Sequence, residues 1–183
     1  MVFVICAYFE FWALVFDIEF FRERTKMRHT ISVLVENKFG VLARIAGLFS
    51  ARGYNIASLA VSETLDPAIS YMTIVVEAKD AKILEQIKKQ LNKLIDVITI
   101  TDFTKKEHVD RELVLARVKY SSKDKSKLEN VFKKYVGKII QHKADVAIIE
   151  AVGEGVQIKS LLDELSKFEI QELVRTGKLA ISN

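Results

Sequence analysis

The hydrophobic pattern of this chain changes repeatedly between a period of two and a period of 3.6 residues, and this change limits the folds open to it. From residue 27 onward, an alternating run is followed by a helix-like stripe, two more alternating runs, a second stripe and a short strand. The same order then occurs a second time. Two successive βαββαβ units predict an α+β fold of two ferredoxin-like domains, each an antiparallel sheet with two helices on one face.

The first unit, residues 27–103, has the residues that begin and end helices in suitable places. Gly53 can end the first helix, and Asp80 can cap the start of the second. The predicted strands cover residues 30–36, 56–64, 69–77 and 97–100. The first apolar stripe consists of Leu42, Ile45, Ala46 and Phe49, and the second consists of Ile83, Ile87, Leu91 and Leu94. An open sheet of this size leaves one face uncovered, so we expect a second copy of the sheet to cover it and the chain to be a homodimer.

The second unit, residues 111–183, follows a polar segment, residues 104–110, that predicts a linker. A linker of this composition predicts that few buried contacts join the two units. The predicted strands cover residues 112–120, 138–142 and 145–152, with one last extended segment over residues 171–181, and the stripes consist of Leu128, Val131, Phe132 and Tyr135, and of Ile158, Leu161, Leu162 and Leu165. The turn Gly153–Gly155 lacks the third glycine and the Lys-Ser/Thr pair of a phosphate loop, which favours a plain strand-to-helix connection.

Residues 1–26 differ in composition from the rest of the chain. The chain has 11 Phe, five Tyr and one Trp, and eight of these aromatic residues lie within residues 3–21. Three acidic residues interrupt this apolar stretch, and no positive charge precedes it, so neither a membrane span nor a secretory signal is favoured. An anchor, an accessory amphipathic element and an upstream start codon wrongly chosen over Met27 stay open, and the composition break favours the last.

The remaining composition argues against several classes of function. One cysteine, Cys6, allows no internal disulfide and no cysteine-rich zinc site, which is typical of a reducing compartment and predicts a cytoplasmic protein. The formal net charge is only +4, and the lysines of residues 123–134 alternate with acidic residues, which indicates a solvated helix face and no nucleic-acid partner. The three histidines are far apart in sequence and are expected at the surface, so no metal site, catalytic residue or independent enzyme is predicted.

The loop between the first predicted strand and helix is a better candidate for a binding site. A helix that begins just after Gly40 presents unpaired backbone N–H groups and a positive dipole end, which suits a carboxylate. Asn37 and Asn55 carry amide groups that can bind the ammonium or carboxylate of a free amino acid. The alternative is purely structural, with Asn37 as an N-cap, Gly40 as a turn residue and Asn55 as a turn asparagine.

The segments ENKFGVLARIAGLFSARGYNI and DPAISYMTI resemble the amino-terminal ACT domain of the acetolactate synthase (acetohydroxyacid synthase) regulatory, or small, subunit. The resemblance continues from Met27 to the end of the chain. It implies a non-catalytic regulatory subunit of branched-chain amino acid (valine, isoleucine, leucine) biosynthesis. Such a subunit activates a catalytic subunit that uses thiamine diphosphate, magnesium and FAD to make acetolactate from pyruvate, and it confers feedback inhibition by valine.

The same resemblance implies the position of the effector site. It places Asn37, Gly40, Val41 and Leu42 of one ACT domain opposite Asn55 and Ile56 of a second copy, with no metal and no catalytic residue. Relatives often have a serine where this chain has Ala43, which bears on the strength of inhibition. The alternative is an amino-acid-binding ACT module that regulates a different enzyme or a transcriptional regulator.

Overall fold

The computed structural model describes residues 27–78, 81–104, 106–121, 124–143 and 145–183. Residues 1–26, with Cys6, and the predicted cap Asp80 lie outside the described residues. The elements of the first unit are β1 (Met27–Glu36), α1 (Val41–Ala51), β2 (Asn55–Glu63), β3 (Ile69–Ala78), α2 (Ala81–Leu91) and β4 (Val97–Asp102). Its four strands form an antiparallel sheet in the order β2-β3-β1-β4. The predicted βαββαβ order is therefore confirmed for this unit.

The core of the first unit lies between its sheet and its two helices. Alternate residues of β1 point toward the helices because side chains alternate across a strand, and Ile31 and Val33 are completely buried there. The predicted helical stripes supply the facing side, where Phe49 of α1 and Ile87 and Leu91 of α2 are buried. The periodicity read from the sequence thus predicts the buried face of each helix, except that Leu42 of the first stripe is exposed and Val41 is buried in its place.

The second unit has the same arrangement and a separate core. Its elements are β5 (His108–Lys119), α3 (Lys125–Lys134), β6 (Gly137–Lys143), β7 (Val146–Gly153), α4 (Gly155–Leu165), β8 (Glu169–Arg175) and β9 (Leu179–Ser182). The sheet order is β6-β7-β5-β8, with β9 paired to the first residues of β5. Val118, Ile149 and Leu161 are among the buried residues of its core. The predicted fold class, two ferredoxin-like α+β units, is confirmed.

Two sequence-based boundaries in this unit are wrong. Strand β5 begins at His108, inside the predicted linker 104–110, because residues 108–111 pair with residues 179–182 of β9. The predicted single segment 171–181 is interrupted at residues 176–178, where Gly177 has φ 75°, so it forms two strands that both run antiparallel to β5. Both differences have one cause: the pairing of β9 with β5 joins segments far apart in sequence, which local periodicity does not report.

The expected cover for the open face of the first sheet is also wrong. The face away from the helices carries Tyr71 and Thr73, and Thr73 is only 2% exposed although it is polar. Strands β5 and β9 of the same chain lie against this face, and the Tyr71 hydroxyl donates a hydrogen bond of 2.8 Å to the Ala180 carbonyl. A second copy of the sheet is therefore not the partner of this region, and contacts join the two units. Among the described helices, none is both long enough and apolar enough to span a membrane.

Candidate functional site

The loop from β1 to α1 is fixed in place by hydrogen bonds to the turn between β2 and β3. The backbone N–H of Asn37 donates to the Ala68 carbonyl at 2.7 Å, and its side-chain amide donates to the Pro67 carbonyl at 2.9 Å. Asn37 is therefore not the N-cap of α1. One of the two N–H groups of its side-chain amide closes the loop, which leaves the second N–H and the side-chain oxygen available to a ligand.

Gly40 occupies the N-cap position of α1, with φ 82° and ψ −7°. This left-handed conformation favours glycine, which confirms the expectation that the helix starts just after this residue. No described side chain caps the helix, and no acidic residue lies in its first turn. The Val41 N–H donates to the Lys38 carbonyl at 3.3 Å, and the N–H groups that follow it, together with the positive end of the helix dipole, are directed at the surface beside Gly40.

The side chains around Gly40 divide into buried and exposed groups. Val41 is buried at 3% exposure and packs into the core, and its backbone N–H donates to the Lys38 carbonyl at 3.3 Å. Leu42 is 45% exposed and offers an apolar contact at the surface. The site therefore combines backbone donors with one exposed apolar side chain, which suits the carboxylate and the side chain of an aliphatic amino acid.

Arg44 is a charged neighbour of this site that the sequence reasoning missed. A Cβ built on Gly40 would lie 3.9 Å from an Arg44 guanidinium nitrogen, because residues four apart share one helix face. A second guanidinium nitrogen pairs with the nearly buried carboxylate of Asp96 at 2.9 Å, which orients the side chain. The spacing of four from Gly40 is the signal that could have identified it.

Lys38, in the same loop, is engaged by its neighbour Glu36. Its ammonium lies 2.8 Å from the Glu36 carboxylate, and the hydrogen bond between them raises the pKa of Lys38 above its ordinary value. The lysine and the carboxylate neutralise each other locally. The positive character of the loop therefore comes from the helix start and Arg44.

The other predicted half of the site lies at the beginning of β2. Asn55 is the first residue of this strand, not a turn asparagine, and its side-chain amide donates to the Glu77 carboxylate at 3.0 Å. Ile56 is half-buried and packs against the core of the first unit. The ladder shifts register between Ile56 and Ser58, a bulge that re-aims the side chains at this end of the strand.

Within one chain, the two halves of the predicted site lie at opposite ends of the sheet. Asn37 follows Glu36, which pairs with Ile69 of β3, whereas Asn55 pairs with Glu77 of the same strand. Eight positions separate Ile69 from Glu77, which corresponds to about 26 Å along a strand. The structure therefore brings Asn37, Gly40, Val41 and Leu42 together but does not bring Asn55 and Ile56 to them.

The sheet topology provides a way for a second copy to join the two halves. Strand β2 is at one edge of the four-stranded sheet, and its only pairing among the described residues is with β3. Its final residue, Glu63, pairs with Ser70 and so lies at the same end of the sheet as Asn37. A second copy added antiparallel at this edge would bring its own Asn55 alongside that end.

Other candidate groups in the described residues are structural. His29 is 5% exposed, which corrects its expected surface position, and its Nδ1 lies 3.1 Å from the Thr104 hydroxyl. His142 Nδ1 lies 2.8 Å from the Tyr120 hydroxyl. Within the described part of the chain, no three His, Cys, Asp or Glu side chains form a group that could hold a metal ion.

Comparison with known proteins identifies the family. Residues 31–99 match the model of the acetohydroxyacid synthase small subunit-like ACT domain, and residues 111–183 match the model described as the small subunit of acetolactate synthase. A probable acetolactate synthase small subunit of Archaeoglobus fulgidus is 44% identical over 155 residues, covering 85% of this chain and 96% of the relative. The chain belongs to the acetolactate synthase small subunit family.

Further members of the family are similar over most of their length. The acetolactate synthase small subunit of Aquifex aeolicus is 41% identical over 155 residues, covering 84% of this chain and 80% of the relative. The crystal structure of the small subunit from Thermotoga maritima superposes with a TM-score of 0.78 at 34% identity, covering 86% of this chain and 98% of that one. The family resemblance read from the sequence is confirmed, and membership supports a regulatory role.

Proposed function

We propose that this chain activates the catalytic subunit of acetolactate synthase and makes that enzyme sensitive to feedback inhibition by valine. In this role it acts in the cytoplasm in branched-chain amino acid biosynthesis and catalyses no reaction itself. The catalytic partner carries the thiamine diphosphate, magnesium and FAD, and it joins two pyruvates, or pyruvate and 2-oxobutyrate. The regulatory chain acts as a homodimer that holds the effector between two ACT domains.

The start of α1 at Gly40 is the observation that carries this proposal. Its backbone donors and the nearby Arg44 guanidinium can bind a carboxylate, and the exposed Leu42 side chain can contact an aliphatic group. Asn55 of the second copy would then meet the polar head of the amino acid through its amide. Valine has the carboxylate, the ammonium and the short branched side chain that such a site selects.

Activity of the catalytic subunit tests the proposal. The acetolactate synthase catalytic subunit from the same organism is assayed with and without this chain, across a titration of valine from micromolar to millimolar. We expect a higher rate when the chain is added and a fall in that rate as valine rises. The catalytic subunit alone should show neither response. A rate that the chain does not change, or an activated rate that valine leaves unaltered, would contradict activation or valine inhibition respectively.

A further inference from the structure

Three large apolar side chains of the first unit are fully exposed. Leu65 and Phe39 are fully exposed, and Ile95 is 95% exposed. Each lies in a different loop: Leu65 between β2 and β3, Phe39 between β1 and α1, and Ile95 between α2 and β4. Single exposed apolar residues are common, but several together indicate a binding surface.

Backbone hydrogen bonds hold these three loops next to each other. The loop with Phe39 is joined to the loop with Leu65 through Asn37, which donates to the Pro67 and Ala68 carbonyls. It is joined to the loop with Ile95 by a 2.9 Å bond from the Glu36 N–H to the Asp96 carbonyl. Each of the three exposed residues lies one or two positions along the chain from a residue that makes one of these hydrogen bonds. We call this surface, formed by Phe39, Leu65 and Ile95, the apolar tip.

Two ion pairs lie beside the apolar tip. Arg44 pairs with Asp96 at 2.9 Å, and Lys38 pairs with Glu36 at 2.8 Å. Since these ion pairs neutralise the loops, the tip offers a partner apolar contact area and not a concentrated charge. Such a surface suits a protein with a matching apolar patch.

We propose that the apolar tip is the surface on which the acetolactate synthase catalytic subunit docks. This inference rests on the proposed function, and two observations select this occupant. The family consists of small subunits, whose name implies a larger partner chain. Phe39 also lies within the 37–42 loop of the candidate effector site, so an effector bound at Gly40 acts on the loop that contacts the catalytic subunit.

The proposed effector site and the proposed docking surface share one loop, residues 37–42. Effector bound at the α1 start contacts the backbone on the carboxyl side of Phe39, and the hydrogen bonds of Asn37 and Glu36 connect the same loop to Leu65 and Ile95. A small shift of the loop therefore changes how the three apolar side chains are presented. Binding of valine and docking of the catalytic subunit are coupled through one loop, and by linkage each changes the affinity of the other.

The double variant Leu65→Ser, Ile95→Ser tests the docking surface without altering the effector loop. Both side chains are already in solvent, so their replacement should leave the thermal unfolding midpoint within a few degrees. The matched control is Val136→Ser, Val156→Ser in the second unit, where the two valines are 77% and 79% exposed. Affinity for the purified catalytic subunit, valine binding by the free chain and sedimentation of the free chain are measured for the wild type and both double variants.

We expect the tip variant to bind the catalytic subunit at least about tenfold more weakly than the wild type, with valine affinity and the oligomeric state unchanged. The control should stay within about twofold. Equal affinity of the tip variant and the wild type would overturn the docking surface and leave the proposed function intact. Loss of the homodimer in the tip variant would assign the tip to contact between copies instead. A wild-type chain that does not bind the catalytic subunit would overturn both proposals.

Discussion

At the scale of single residues, the candidate site depends on backbone geometry more than on side-chain chemistry. Gly40 has a left-handed conformation with φ 82°, and apart from Arg44 at 3.9 Å no described heavy atom lies within 4 Å of where its Cβ would be. The space beside the first helical N–H groups is thus open because residue 40 has no side chain. A glycine in this place combines the strain-free turn with close access of a ligand to the backbone.

The first prediction concerns Gly40→Asp. The new carboxylate would accept hydrogen bonds from the N–H groups that we assign to the effector, and it would repel the carboxylate of valine. We expect valine inhibition to be lost while activation of the catalytic subunit persists, as measured by the activity titration. Gly40→Ala has the same backbone strain without the charge, and Gly47→Ala in the same helix is the control, because no atom lies within 4 Å of its position. Full valine sensitivity in Gly40→Asp would exclude this site.

The second prediction concerns Asn55→Ala. If the Asn55 amide meets the polar head of the effector, its removal leaves a polar group of the bound amino acid unpaired and weakens binding by about tenfold, or roughly 1–3 kcal/mol. The homodimer should persist, because Asn55 is exposed and its described partner is Glu77 of the same chain. Calorimetric titration with valine measures the change. An unchanged affinity would show that Asn55 serves only to orient the start of β2.

The third prediction concerns the pH dependence contributed by Asp102. Burial raises the pKa of Asp102, but hydrogen bonds from Thr104 and from Lys88, at 3.1 Å, outweigh it and bring the pKa below the ordinary value of 3.8. The Asp102 carboxylate therefore binds a proton more readily in the unfolded chain than in the folded one. The ionised carboxylate stabilises the fold above pH 3.8, and this stabilisation is lost as the pH falls through the pKa of Asp102 in the folded protein.

Asp102→Asn removes that contribution. We expect its free energy of unfolding to be lower than that of the wild type near neutral pH, with the difference shrinking as the pH falls from about 5 to about 2. Denaturant unfolding at a series of pH values measures this. Asp163→Asn, at an exposed position of α4, is the control. A difference that is constant over this range would show that Asp102 acts through its shape and not through its charge.

At the scale of elements, the short segment between β8 and β9, residues 176–178, joins the two units. Arg175, just before it, makes two hydrogen bonds, of 2.6 and 3.0 Å, to the buried Glu112 carboxylate, and Lys178 at its end pairs with Asp110. A Cβ built on Gly177 would lie 2.6 Å from the Cβ of Ser58 in β2. The segment is thus anchored in the second unit while Gly177 contacts the bulged part of β2.

The fourth prediction follows from this contact. Gly177→Ala would collide with Ser58 and would also be strained at φ 75°, so we expect a loss of roughly 1–3 kcal/mol in the free energy of unfolding. In the double variant with Ser58→Gly, the free energy of unfolding lost to the collision should be recovered, and the loss due to backbone strain should remain. Gly155→Ala, whose nearest neighbour is at 4.0 Å, is the control. Chemical denaturation measures the free energy of unfolding. Equal values for Gly177→Ala and the wild type would show that the backbone around Ser58 moves aside at little cost.

The sequence predicts those elements whose pattern is local. The stripes containing Phe49, Ile87 and Leu161 indicate helices with the correct buried faces, and Gly40 indicates the start of α1. The pairing of β9 with β5 and the burial of Thr73 were missed, because both depend on segments far apart in sequence and leave no periodic signal. Arg44 was missed because its role depends on the salt bridge to Asp96, a loop residue far along the chain.

At the scale of the whole molecule, the two units have separate cores and one shared surface. The packing of β5 and β9 on the open face of the first sheet leaves the edge strand β2 open to a second copy. A second copy added at this edge would bridge the 26 Å or so between the two predicted half-sites. We therefore propose that each effector site is built from residues 37–42 of one copy and Asn55 with Ile56 of another.

The fifth prediction tests that claim most directly with a hybrid dimer of a Gly40→Asp copy and an Asn55→Ala copy, each carrying a different affinity tag. In the hybrid, both changes fall in one shared site, and the other site has an intact loop and an intact β2. Calorimetry with valine should show one site of wild-type affinity per hybrid dimer, although the Gly40→Asp homodimer binds no valine and the Asn55→Ala homodimer binds it about tenfold more weakly. A hybrid without a wild-type site, which binds only as the average of the two homodimers, would contradict a site shared between copies.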